Sequence, residues 1–154
     1  MGKEDAEKIR SLWSSLNMVW FAMFFSVLIY AVLGLFLKGY IGFTFGEEGL
    51  KKVRTIFYLL TIGTITYSVY ARRSYLAKAS AESSFDGALN TYRIAVIVSN
   101  AIAEFIGVFG FLLLIMGDRF YGFPLLITSG LAMLYHRPRR SEILALQEKK
   151  PVVK

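Results

Sequence analysis

The sequence predicts an all-α polytopic membrane protein: four transmembrane helices arranged as two hairpins, preceded by an N-terminal amphipathic surface helix. Three observations lead there. Of the 154 residues, 55% are hydrophobic and only 19% charged, with a mean hydropathy of +0.50, which is too apolar for an ordinary soluble domain of this length. The charges cluster, leaving four intervals free of Lys, Arg, Asp and Glu apart from Glu104: Ser11 to Leu37, Thr55 to Ala71, Ile94 to Gly117 and Phe120 to His136. A helix crosses a hydrocarbon core of roughly 30 Å with about 20 residues, and about 17 suffice at the short end. All four intervals reach that length, so spans are expected near 17–37, 55–72, 94–117 and 120–136, in one transmembrane domain covering 1–154 with tails at 1–16 and 137–154.

Taken in order, Glu4 to Leu16 places Ile9, Leu12, Trp13 and Leu16 on one stripe, with Glu4 and Lys8 spaced for an ion pair on the other side. This predicts a surface helix that turns into the membrane near Asn17. Met1 to Arg10 is acidic as well as basic, and the apolar run after it is too long for the core of a cleavable signal, so the first span is expected to remain in the mature chain. The loop Gly39 to Arg54 carries four glycines among Tyr40, Phe43 and Phe45. It reads either as dipping into the membrane interface or as an exposed hairpin loop. Leu76 to Asn90, rich in Ala and Ser with Asp86-Gly87, reads as the linker between hairpins. Asp118-Arg119 reads as the tight turn of the second hairpin, with Pro124 in the first turns of the last helix. A shift of 74 residues aligns the two hairpins, setting Ser26 and Tyr30 over Asn100 and Glu104.

Orientation follows from the basic residues. The N-terminal tail, the linker after the second span and the C-terminal tail hold 13 of the 18 Lys and Arg, against five on the opposite face. The positive-inside rule then makes the protein a multi-pass inner-membrane protein with both termini cytoplasmic. The net charge of +7 is accounted for by this topology and by anionic lipid headgroups at the basic face, with no nucleic-acid partner implied.

Glu104 is the most informative residue, the one charge in the 24-residue interval Ile94 to Gly117. A helix places it about 16 Å from Arg93 and about 20 Å from Asp118, close to midplane. A carboxyl there is costly. With no cation inside the spans to pair with it, the group is expected to be neutral and to hydrogen-bond hydroxyls and amides at similar depth. The candidates are Asn100 on its own helix face, Tyr30 in span one, Thr61, Thr64, Tyr67 and Ser68 in span two, and Thr128 or Ser129 in span four. Ala103, Gly107 and Gly110 form a stripe of small residues along the same span, opening a groove for close approach of another helix. Two roles remain open: a buried polar contact that holds helices together, or a site that loads and releases a proton or Na⁺.

The segment Ala103-Glu104-Phe105-Ile106-Gly107-Val108-Phe109-Gly110-Phe111 resembles the carboxylate segment of rotary ATPase proteolipids, the c-type rotor subunits. That resemblance implies that Glu104 carries the transported ion. The chain departs from that family in holding Glu104 in the first helix of its hairpin, where the family uses the second, and in having Gly34 alone among Trp20, Phe21, Phe24 and Phe25 in span one. The short turn, Phe120-Tyr121 and the ending Tyr135-His136-Arg137-Pro138-Arg139 are similar to an uncharacterised family of small four-span bacterial inner-membrane proteins.

The absence of cysteine excludes disulfides, thiol catalysis and iron–sulfur ligation. With a single histidine, a transition-metal or haem site within one subunit lacks ligands, so no cofactor and no metal site is expected. His136 reads as an interfacial residue contacting headgroups. No phosphate-binding glycine loop and no serine or lysine with a base beside it appears. The favoured reading is therefore a non-enzymatic membrane protein, assembling with itself or as an accessory subunit of a larger membrane complex through the Glu104 face; the alternative is a proton- or Na⁺-translocating, proteolipid-like subunit.

Overall fold

The computed structural model describes residues 3–37 and 46–148, with side chains from residue 6 onward. It consists of four long helices and one short one: α1 (Lys3–Leu37), α2 (Glu47–Ala81), α3 (Phe85–Ile115), α4 (Arg119–Tyr135) and α5 (Arg140–Glu148). No strand occurs among the described residues. Two helices, over Ala6–Leu37 and Phe85–Ile115, are long and apolar enough to cross a membrane.

Three expected boundaries are corrected. The surface helix and first span are one unbroken helix, about 52 Å long at 1.5 Å per residue, and the chain does not turn at Asn17. The Asn17 amide Nδ2 donates back to the Trp13 carbonyl at 3.0 Å inside the continuous helix, while its Oδ1 is buried without a protein partner. The linker expected at Leu76 to Asn90 shrinks to 82–84. Its alanines extend α2 as good helix formers, and Ser84 caps α3 by accepting from the Gly87 N–H at 3.1 Å. The loop expected to run to Arg54 ends at Gly46, since Glu47 to Arg54 form the first turns of α2; residues 39–45 lie outside the described residues.

α3 is the central element. Lys8 pairs with Asp86 at 3.3 Å, Ser26 bonds Glu104 and Gly34 packs on Leu114, so α1 runs parallel to α3 in a steady register. α2 and α4 run antiparallel to it: Phe57 stacks on Phe109 with centroids 5.0 Å apart, and Gly107 faces Ser129. The expected pairing of α1 with α2 as a hairpin is not what forms, because both helices use their packing faces against α3 and share no extended contact. α3 and α4 do form a hairpin. Its turn is a Schellman motif, in which Gly117 at φ 93° follows the helix while the Gly117 and Asp118 N–H groups bond the Leu114 and Leu113 carbonyls at 3.0 and 2.8 Å. Asp118, buried behind it, pairs with Arg54 at 2.7 Å, and the Arg54 guanidinium lies 3.5 Å from the centre of the Tyr121 ring.

At the opposite end, Ile9 and Leu16 of α1, Ala79 of α2, Leu89, Tyr92 and Val96 of α3, and Ile143 and Leu146 of α5 form one buried cluster. The C-terminal segment expected as a tail thus folds back as an amphipathic helix. Two further clusters lie along α3: Val27, Ala103, Leu114, Leu126 and Met133 toward α1 and α4, and Ile106, Leu113 and Leu125 toward α2.

Candidate functional site

Glu104 is half-buried on the face of α3 that meets α1. Ser26 and Tyr30, one turn apart on α1, both reach the same carboxyl oxygen: Ser26 Oγ lies 2.5 Å and Tyr30 Oη 3.0 Å from Glu104 Oε1. Ser26 Oγ also lies 2.6 Å from the Met23 carbonyl. The Tyr30 ring packs at 5.7 Å from Phe111, which fixes its hydroxyl over the carboxyl. Around this polar spot the surface is aromatic, with Phe25 and Phe105 each about 60% exposed.

Of the residues expected around Glu104, the structure brings Tyr30 to it and sends the others elsewhere. Asn100 is buried one turn away and turns toward α4, donating Nδ2 to the Val96 carbonyl at 2.8 Å and to the His136 carbonyl at 3.3 Å. Thr64 bonds the Leu60 carbonyl of its own helix at 2.8 Å, and Tyr67 is exposed beside Tyr70. Both belong to α2, which packs on a different face of α3. Thr128 bonds the Pro124 carbonyl and Ser129 the Ala103 carbonyl, at 2.9 Å. Ser26 was the missed partner. Its signal was present in its spacing of one turn from Tyr30, the two being the hydroxyl groups of the otherwise apolar stretch Met18 to Leu37 of α1.

The small-residue groove is also occupied within the chain. A Cβ on Gly110 would stand 2.8 Å from the Gly122 carbonyl oxygen, and one on Gly107 3.1 Å from Ser129 Oγ. The helix that Ala103, Gly107 and Gly110 admit is therefore α4. Intramolecular packing has first claim on such a groove because the hairpin turn holds α4 beside it.

A second buried polar cluster went unrecognised in the sequence. His136, expected at headgroups, is 1% exposed; its Nε2 lies 3.1 Å from Ser68 Oγ. Arg72, also buried, donates to the His136 carbonyl at 2.9 Å and to Glu142 Oε2 at 2.8 Å. Tyr92 donates to the same Glu142 oxygen at 2.9 Å and accepts from the Arg139 N–H at 3.1 Å. Burial, together with the Glu142 charge, pushes the Tyr92 phenol well above its ordinary value. These contacts join α2, α3, the end of α4 and α5. They also explain why a charged Arg72 is tolerated inside: its donors meet a carbonyl and a carboxylate. Asn100 Oδ1 and His136 Nδ1 are the buried atoms of this cluster without a protein partner. No group of three His, Asp or Glu side chains converges to hold a metal ion among the described residues.

Comparison of the chain with protein-family models, with curated proteins and with solved structures finds no match.

Proposed function

We propose that this chain is a four-span integral membrane protein of the inner membrane, with both termini cytoplasmic. It has no enzymatic role and assembles with itself or as an accessory subunit of a larger membrane complex through the Glu104 face of α1 and α3. Large apolar side chains exposed on all four long helices, among them Phe21, Phe36, Leu59, Ile62, Phe105, Phe120 and Leu131, support immersion in lipid. The alternating directions of the four helices and the basic bias of one end support the orientation.

The observation that carries the assembly reading is the carboxyl oxygen of Glu104, which Ser26 and Tyr30 of α1 both reach across to α3. The Ser26 hydroxyl has one proton and stands within hydrogen-bond distance of two oxygens, the Met23 carbonyl and Glu104 Oε1. Tyr30 donates to Glu104 Oε1, and the Ser26 hydroxyl bridges that oxygen and the carbonyl of its own helix. This half-buried carboxyl fixes α1 against α3 and leaves its edge facing outward amid exposed phenylalanines, a surface suited to a second helix. The test compares Glu104→Gln with Glu104→Ala in mild detergent. The Gln variant keeps the wild-type particle mass, and the Ala variant loses about 1 kcal/mol of stability and part of the assembly. Wild-type mass and stability for Glu104→Ala would overturn the reading.

A second reading is favoured by the same half-exposure. The carboxyl is open on one side and has the oxygens of Ser26, Tyr30 and Met23 nearby, a set that suits a proton or Na⁺ exchanging from the bilayer side. In that case Glu104→Gln assembles normally but abolishes ion-coupled activity, and a carbodiimide modifies Glu104 with Na⁺ protecting it. Modification at the same rate with and without Na⁺, together with full activity of the Gln variant, rejects the carrier.

A further inference from the structure

On the side of the bundle away from Glu104, α2 and α4 meet through Tyr58 and the Tyr121 carbonyl near one end and through Ser68 and His136 near the other. Beside the second contact lies a cavity of about 300 Å³, walled by Ile65, Val69, Thr128, Leu131 and Tyr135. Val69 and Tyr135 also line a second cavity, of about 120 Å³, ringed by Arg72, Arg73, Arg139 and Glu142. An apolar furrow thus opens directly onto a cationic cleft. Three guanidinium groups against the single Glu142 carboxylate leave a surplus of two positive charges there. Arg72 is committed to Glu142 and to the His136 carbonyl. The side chains of Arg73 and Arg139 are exposed and make no hydrogen bond or ion pair among the described residues.

We propose that this furrow and cleft form a binding site for one anionic phospholipid, its phosphate diester held by Arg73 and Arg139 and an acyl chain lying along Ile65, Val69 and Leu131. The inference rests on the membrane reading above. Guanidinium forks match phosphate oxygens geometrically, and the basic cleft stands where the apolar surface of α2 and α4 gives way to charged residues, the level of a headgroup. The apolar furrow selects a lipid over a soluble phosphate, because its Leu131 and Tyr135 walls are more than half exposed and are covered when a chain occupies it. Arg72 and Glu142 set the depth of the cleft, since their ion pair closes its inner side.

The experiment is native mass spectrometry of the full chain, extracted from membranes in mild detergent and titrated with phosphatidylglycerol or phosphatidylcholine. The wild type retains phosphatidylglycerol at least fivefold better than phosphatidylcholine. The double variant Arg73→Gln, Arg139→Gln loses that preference, whereas Lys51→Gln, Lys52→Gln, which removes the same charge at the opposite end, keeps it. Millimolar glycerol phosphate does not displace the bound lipid. Equal retention of the two lipids by the wild type, equal loss of preference in both double variants, or displacement by glycerol phosphate each overturns the site. A chain that never partitions into membranes overturns the membrane reading itself, which keeps the two failures apart.

Discussion

Gly110→Ala tests the close packing of α3 on α4. The new Cβ would lie 2.8 Å from the Gly122 carbonyl oxygen, 2.9 Å from Leu126 Cγ and 3.0 Å from the Leu126 nitrogen. Carbon and carbonyl oxygen ordinarily approach to roughly 3.3 Å, so α4 must retreat by about half an ångström. Two of the three obstacles are backbone atoms in mid-helix and cannot rotate away. Overpacking of this kind costs about 1–3 kcal/mol. The helix-propensity gain of alanine over glycine, about 1 kcal/mol in water, offsets little when the unfolded reference is a detergent-solubilised chain that keeps its helices. The expected loss is therefore about 2 kcal/mol, read from unfolding in mixed micelles of increasing SDS content. Gly63→Ala, where a Cβ meets nothing within 4 Å, serves as the control and should stay within about 0.5 kcal/mol of wild type. Gly122→Ala should resemble Gly110→Ala, and the double variant should cost less than the two together, because one displacement of α4 relieves both. Wild-type stability for Gly110→Ala, or an equal loss for Gly63→Ala, would refute the close α3–α4 approach.

Two further outcomes follow from the polar ends of the bundle. Asp118→Asn leaves Arg54 facing a neutral amide; with the Arg54 side chain 27% exposed to water, the loss should be about 1–2 kcal/mol, below the figure for a fully buried pair, and an unchanged SDS midpoint would count against the ion pair. Tyr92→Phe removes the phenol that binds Glu142 and should cost about 2 kcal/mol near neutral pH. Because the phenol's value is raised in the fold, its contribution is complete below about pH 10, the unfolded value, and is lost as pH rises through the folded one. The wild type should therefore lose stability above that pH more steeply than the Phe variant, and parallel alkaline profiles would contradict the buried phenol.

Composition and charge spacing by themselves determined the all-helical class, the tight turn at Asp118, and the singularity of Glu104. Those features depend on local chemistry: helix periodicity, a glycine able to take positive φ at Gly117, and the cost of a charge in an apolar run. Matched depth also put Tyr30 among the candidate partners of Glu104, without separating it from Thr64, Tyr67, Thr128 or Ser129. Tertiary structure alone decided which faces meet. A helix apolar on every side presents similar side chains all round, so its sequence scarcely distinguishes a face toward α3 from one left exposed. For that reason Thr64 and Tyr67 looked like partners of Glu104 while lying on α2 against another face, and the stripe at Ala103, Gly107 and Gly110 looked open while α4 fills it. Arg72 lies far from His136 and Glu142 in the chain, and only the folding-back of α5, driven by burial of Ile143 and Leu146, brings the carboxylate to the arginine and makes a buried charge there tolerable.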